Sequence, residues 1–225
     1  MSTPKGAAGV IATLLARAGL GLPVRLRTWD GSEAGPAGAP VLVARSPRAL
    51  QRILWRPGEL GLARAYVSGD LDVEGDLTDA LRRVRAARPR PLQAGTALAA
   101  IQAAARLNLL APPPDPPRCE LQVRGRGPFI ESYIAPDMDM RPVGDTIKLI
   151  QGAGFEVIGV EAMREHYVRT IRAWLDNFER NLPAIAGILS AEQVRVWRLY
   201  LAGGALAFEQ GRMGVDQILA VRPVR

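Results

Sequence analysis

The sequence predicts an α+β protein built as two units, a small α+β module in front and a helical unit with an antiparallel strand pair behind. Three observations predict it. Short alternating strands and capped helices interleave over residues 21–87. The run Ala111-Pro-Pro-Pro-Asp-Pro-Pro117 then ends regular structure. Beyond it, helical stripes are flanked by two β-rich stretches.

Taken in order, Gly6–Ala16 reads as a short amphipathic helix, since Arg17 follows and no small-residue cleavage site does. Residues 1–20 are assigned to it. In the front module, Val24-Arg-Leu-Arg-Thr-Trp29 alternates as a half-buried strand, and Asp30-Gly31 turns the chain toward a second strand at Val41-Leu-Val43. Ser46-Pro47 opens a helix through Trp55, with serine as cap and proline at the first helical position. Pro57-Gly58-Glu59 opens the next, which ends near Ser68-Gly69. A third strand, Leu71-Asp-Val73, leads to Asp76, the cap of a helix over Leu77–Ala87.

Residues 88–128 hold an Ala-rich helix (Thr96–Leu110) and the proline linker. In the last unit, 129–225, Phe129–Pro136 reads as mostly extended. Asp145–Gln151 is a helix closed by Gly152 and Gly154, and Phe155–Val160 is a strand. Ile171, Trp174, Leu175 and Phe178 form a helical stripe over Tyr167–Asn181. Ala191–Gln210 is a longer helix and Gln217–Val221 a closing strand.

Composition narrows function. The net charge is +7, and residues 1–117 carry 15 basic against 9 acidic groups. A basic front half favours a polyanion. Aromatics make up only 5% of the chain, too few for base stacking, so the expected polyanion is an anionic phospholipid membrane surface and not nucleic acid. Arg82, Arg83, Arg85, Arg88 and Arg90, five arginines without an intervening acid, are the candidate headgroup contacts. One cysteine and one histidine exclude a disulfide framework and an all-protein zinc site within one chain, which fits a cytoplasmic protein at the inner membrane face.

Three stretches carry a family resemblance. They are Arg45-Ser-Pro-Arg-Ala-Leu50 with Pro57–Asp72, then Phe129–Asp137 with Gly152-Ala-Gly-Phe-Glu-Val157, and finally Arg164–Trp174 with Val196–Glu209 and Gln217–Ala220. The chain resembles the cyclopropane-fatty-acyl-phospholipid synthases, also called mycolic acid cyclopropane synthase-like proteins. The resemblance implies methyl or methylene transfer from S-adenosylmethionine to an unsaturated phospholipid acyl chain. It also implies a lipid-associated front module and a Rossmann-like methyltransferase behind, of which this chain holds the carboxy-terminal remnant. The family's glycine-rich nucleotide loop and acidic ribose-binding residue belong before Phe129, where this chain has the eleven residues Arg118–Pro128. Neither S-adenosylmethionine nor the family's bicarbonate is therefore expected to bind this chain alone, and catalysis by it is not expected. Tyr167 matches the tyrosine that helps hold the bicarbonate and is the one catalytic candidate, as a relic. The alternative is a non-catalytic remnant that binds lipid surfaces or a partner. Strands cut off from a larger sheet imply a homo-oligomer or a full-length homologue as that partner.

Overall fold

A computed structural model describes residues 6–17, 19–87, 94–121, 129–138 and 140–223, without the side chains of 94–99. The first helix is α1 (Ala7–Arg17). Its cap comes from a hairpin turn. Ala7 N donates to Asp30 Oδ2 at 2.7 Å and Ala8 N donates to Ser32 Oγ at 3.0 Å. The Ala7 amide, helped by the Ser32 hydroxyl, holds the Asp30 carboxyl far below the usual carboxylate range.

That turn joins β1 (Arg25–Arg27) to β2 (Glu33–Ala34); with β3 (Val41–Ala44) they precede α2 (Pro47–Trp55) and α3 (Glu59–Val67). β4 (Leu71–Glu74) follows, then α4 (Leu77–Ala86) and α5 (Ala94–Arg106). The strand order is β2-β1-β3-β4, with β1 and β3 parallel and the other pairs antiparallel. Ser46 accepts from Arg48 N to cap α2, and Asp76 accepts from Thr78 N and Asp79 N to cap α4. Ala44, Ala49, Ala65 and Leu71 form the core between sheet and helices.

The proline run read as a linker lies pinned along α2. Arg52 Nη1 donates to the carbonyls of Pro114 (3.3 Å) and Asp115 (3.0 Å), while its Nε pairs with Asp70 at 2.9 Å. Past it come α6 (Phe129–Tyr133), α7 (Val143–Gly152) and β5 (Glu156–Ala162). The chain then runs through α8 (Arg164–Arg180), α9 (Leu182–Ala186), α10 (Ala191–Glu209) and β6 (Asp216–Val221). Ser190 and Gln193 form a capping box at the start of α10.

Three elements differ from the sequence reading: the short strand β2, α6 and α9. Residues 129–133, read as extended, are the helical turn α6. Helical spacing puts Phe129 and Tyr133 on one face, their centroids 5.3 Å apart, and both are buried against α3. α9 was not read from the sequence; its Pro183 sits within the first helical turn, where no donor is lost.

β5 and β6 pair antiparallel, with an irregularity between Val157 and Gly159. α7 lies against both strands. Ile158, Val160 and Leu219 remain about half exposed, at 53%, 46% and 58%.

α10 joins the two units. It packs on α8 and α9 behind and on α3 and α4 in front. Leu60, Ala63 and Val67 share one buried cluster with Phe129, Tyr133 and Val196. Arg195 on α10 donates from Nε to Tyr66 O at 2.5 Å and from Nη2 to Leu71 O at 2.7 Å. It also pairs with Asp72 at 3.0 Å, and its guanidinium carbon lies 4.4 Å from the Tyr66 ring centroid. Burial pushes the Asp72 carboxyl up, but hydrogen bonds from Arg45 and Arg195 outweigh it and leave the group below its ordinary value.

α2 and α3 approach so closely that Gly61 has no room for a side chain. A Cβ there would collide with the carbonyl oxygens of Arg56 and Arg52. Gly61→Ala should therefore destabilise the protein by about 1–3 kcal/mol despite alanine's better helix propensity. Urea unfolding measures it, and equal or greater stability would show that the helices separate freely.

Candidate functional site

A wide hollow lies between the two units. It is a cavity of about 700 Å³. α3, β4 and α4 supply one side through Leu62, Tyr66, Val73, Leu81 and Val84. α6, α8 and α10 supply the other through Phe129, Ile171, Tyr200, Gly203 and Phe208, with Met138, Met140 and Met213 completing the wall. Few polar groups interrupt this surface: Glu59, Arg85, Glu131 and Arg212 are its charged residues. The volume falls within the roughly 300–1,000 Å³ typical of small-molecule sites, and so apolar a lining suits a hydrocarbon.

The sequence keeps this space open at a cost. α10 carries Gly203-Gly204 in its interior, and a mid-helix glycine costs about 1 kcal/mol relative to alanine. A Cβ at Gly203 would meet nothing within 4 Å, so no tight packing demands the glycine; it lines the cavity. Gly204 instead faces Ile171, 3.8 Å from where its Cβ would stand.

Ion pairs brace the walls. Glu209 at the end of α10 pairs with Arg82 of α4 at 3.1 Å and with Arg172 of α8 at 2.7 Å. On the junction side, Glu120 takes Arg64 at 2.5 Å and accepts the Tyr133 hydroxyl at 2.9 Å. Burial, then the Glu120 charge, drives the Tyr133 hydroxyl far above its ordinary value, so it stays protonated. A smaller hollow of about 270 Å³ lies between α2 and the proline run, but two of its arginines, Arg52 and Arg64, are already paired with Asp70 and Glu120.

The residues singled out from sequence do not converge. Arg82 and Arg83 pair with Asp79, at 3.3 and 2.8 Å, and Arg82 also with Glu209. Arg85 reaches Glu59 at 3.5 Å and lines the cavity. Arg88 and Arg90 lie outside the described residues. Tyr167 packs its ring on Phe208, centroids 5.4 Å apart, in a cluster of Ile171, Leu201 and Ala205. Among these ring neighbours none offers a bicarbonate ion a charged partner. Sequence reasoning missed the cavity itself, although the paired glycines in α10 were a readable sign of it.

S-adenosylmethionine fits the described residues no better. Its cradle needs a strand, a glycine turn and a helix start. Gly152-Ala-Gly154 instead closes α7 and leads into β5, with Gly154 at φ +87°. In the front sheet Gly75, at φ +98°, does lead from β4 to the start of α4, but the Asp76 carboxylate already takes the first free amides of that helix. Among the described residues, no group of acids, histidines and cysteines could hold a metal, and no helix is long and apolar enough to cross a membrane.

The family model described as mycolic acid cyclopropane synthetase matches residues 114–218. Over those residues the chain is similar to this family. The "Probable fatty acid methyltransferase" of Pseudomonas putida is 42% identical over 100 residues, 44% of this chain and 25% of that protein. A protein of the same description from Mycobacterium tuberculosis is 30% identical over 43% of this chain and 22% of its own length. Sphingolipid C9-methyltransferase B of Emericella nidulans is 31% identical over 43% and 19%. The matches thus span a quarter or less of these relatives. The family-matched segment contains α6, α8 and α10, the rear wall of the cavity.

Cys119 is half-buried beside the junction, and its amide donates to Glu192 at 3.4 Å. Burial, reinforced by the Glu192 charge, pushes its thiol up to about 11. Alkylation of the native protein by iodoacetamide should stay slow at pH 8 and rise only as pH approaches that value. Rapid labelling near neutrality would contradict this placement.

Proposed function

We propose that this chain binds a lipid acyl chain in the cavity between its units, within the S-adenosylmethionine-dependent lipid methyl-transfer chemistry named for its relatives. The observation that carries the reading is the 700 Å³ cavity with its aliphatic and aromatic walls, formed in part by the family-matched helices. Burying about ten methylenes there yields roughly 8 kcal/mol before the costs of ordering the chain. The basic front half supports an anionic membrane as the source of that lipid.

The finer chemistry, a cyclopropane or methyl branch on a phospholipid chain, belongs to an enzyme with a cofactor cradle. We propose that this chain alone holds the lipid without carrying out the transfer, because the helix start that follows a strand and a glycine, at Gly75, is already capped by the Asp76 carboxylate.

Palmitoleyl alcohol, a neutral chain, titrated below its micelle concentration tests the binding reading. The protein should take up one molecule. Gly203→Leu should fold normally, since leucine is the better helix former, yet lose chain affinity by at least about tenfold because the side chain occupies the cavity. Unchanged binding by that variant, or none by the parent protein, overturns the reading. In parallel, S-adenosylmethionine should give no calorimetric signal, and a one-to-one low-micromolar site would overturn the non-catalytic part.

A further inference from the structure

Among the charged residues lining the cavity, Arg85 and Arg212 are its two cations, both exposed at its rim and near enough for the Arg85 charge to act on Arg212. Arg85 extends from α4 and Arg212 from the turn after α10. Arg85 pairs with Glu59 at 3.5 Å, a weak pairing in which both side chains keep contact with solvent. Arg212 Nε donates to the Gln210 side chain at 3.2 Å, a neutral partner.

Elsewhere in the molecule arginines meet carboxylates closely. Arg52, Arg64, Arg172 and Arg198 do so at 2.9 Å or less. Arg212 stands apart from that pattern. Partial cover of its guanidinium disfavours the charge, the Arg85 cation disfavours it further, and Glu59 offsets this only in part. An arginine does not shed its proton near neutral pH, so the site is short of negative charge. Glu131, the other acid of the lining, stands on α6.

Two guanidiniums beside an apolar cavity have the layout that an anionic amphiphile requires. The chain fills the hydrocarbon-lined space, and an oxyanion at the rim accepts charge-assisted hydrogen bonds from both arginines. We infer that Arg85 and Arg212 together form the head-binding site of this cavity and hold the oxyanionic end, carboxylate or phosphate, of its lipid. This rests on the acyl-chain reading above and adds the residues that grip the head and the end that faces outward. It also gives Arg85 a role that its neighbours lack, since Arg82 and Arg83 are engaged by Glu209 and Asp79.

The test compares palmitoleate, palmitoleyl alcohol and inorganic phosphate on the full chain, the lipids below their micelle concentrations. Palmitoleate should bind at least about tenfold more tightly than the alcohol, and phosphate alone far more weakly than either. Arg85→Gln with Arg212→Gln should close the gap by weakening the acid toward the affinity of the alcohol. The melting temperature, read alongside, should hold, because both side chains are at the surface. If acid and alcohol bind equally to the parent protein, or if the double variant weakens both alike, the head assignment is wrong while the cavity still takes a chain. Phosphate binding as tightly as palmitoleate would show a bare anion site and overturn it too. If neither lipid binds, the acyl-chain reading falls and takes this inference with it.

Discussion

The Arg195 side chain fixes the relation between the two units, and the rest of the architecture follows from that docking. From α10 it reaches two backbone carbonyls at the α3–β4 connection, the Asp72 carboxylate and the face of Tyr66. The carbonyls of Tyr66 and Leu71 accept from one guanidinium, whose charge strengthens both hydrogen bonds. Removing it would strand polar groups at a largely buried seam, which costs more than the hydrogen bonds gain on forming. The same contact places Val196 into the cluster of Leu60, Ala63 and Val67. Charge fixes the register of the seam and apolar burial supplies its driving force.

A cavity is the consequence of docking two helical surfaces that do not fully interdigitate. α3 and α4 come from the front module and α10 from the back, braced by Glu209 between Arg82 and Arg172. Where the facing side chains are small, the walls stand apart. Gly203 and Ala207 on α10 are such positions. A protein selected only for stability would close that gap, since unfilled apolar space forfeits dispersion contacts. Glycine at 203 gives up both packing and helix propensity, which is consistent with a space kept for a ligand.

Much of the fold was legible in the sequence because local signals agreed with tertiary need. Ser46-Pro47, Asp76 and Ser190 each announce a helix start, and the alternation around Leu26 announces a strand. α6 was not legible: Phe129, Ile130 and Tyr133 favour extended backbone, and burial against α3 overrides that preference. The site was less legible still. Its walls come from residues more than a hundred positions apart, and no local pattern tells Arg85, which lines the cavity, from Arg83, which pairs with Asp79 on its own helix. Arg212 drew no notice because it stands alone in sequence. Its significance comes from Arg85 and Glu59, which only folding brings near.

Replacing Arg195 with methionine tests the seam most directly, because Arg195 does not line the cavity yet is held to create it. Methionine keeps the apolar stem and removes the guanidinium. Chemical unfolding and neutral-chain binding are followed on the same samples. The account predicts a loss of roughly 2–4 kcal/mol, with chain binding lost as the front module separates from α10. An Arg195→Met protein that unfolds at the denaturant concentration of the parent and binds the chain as tightly would contradict it.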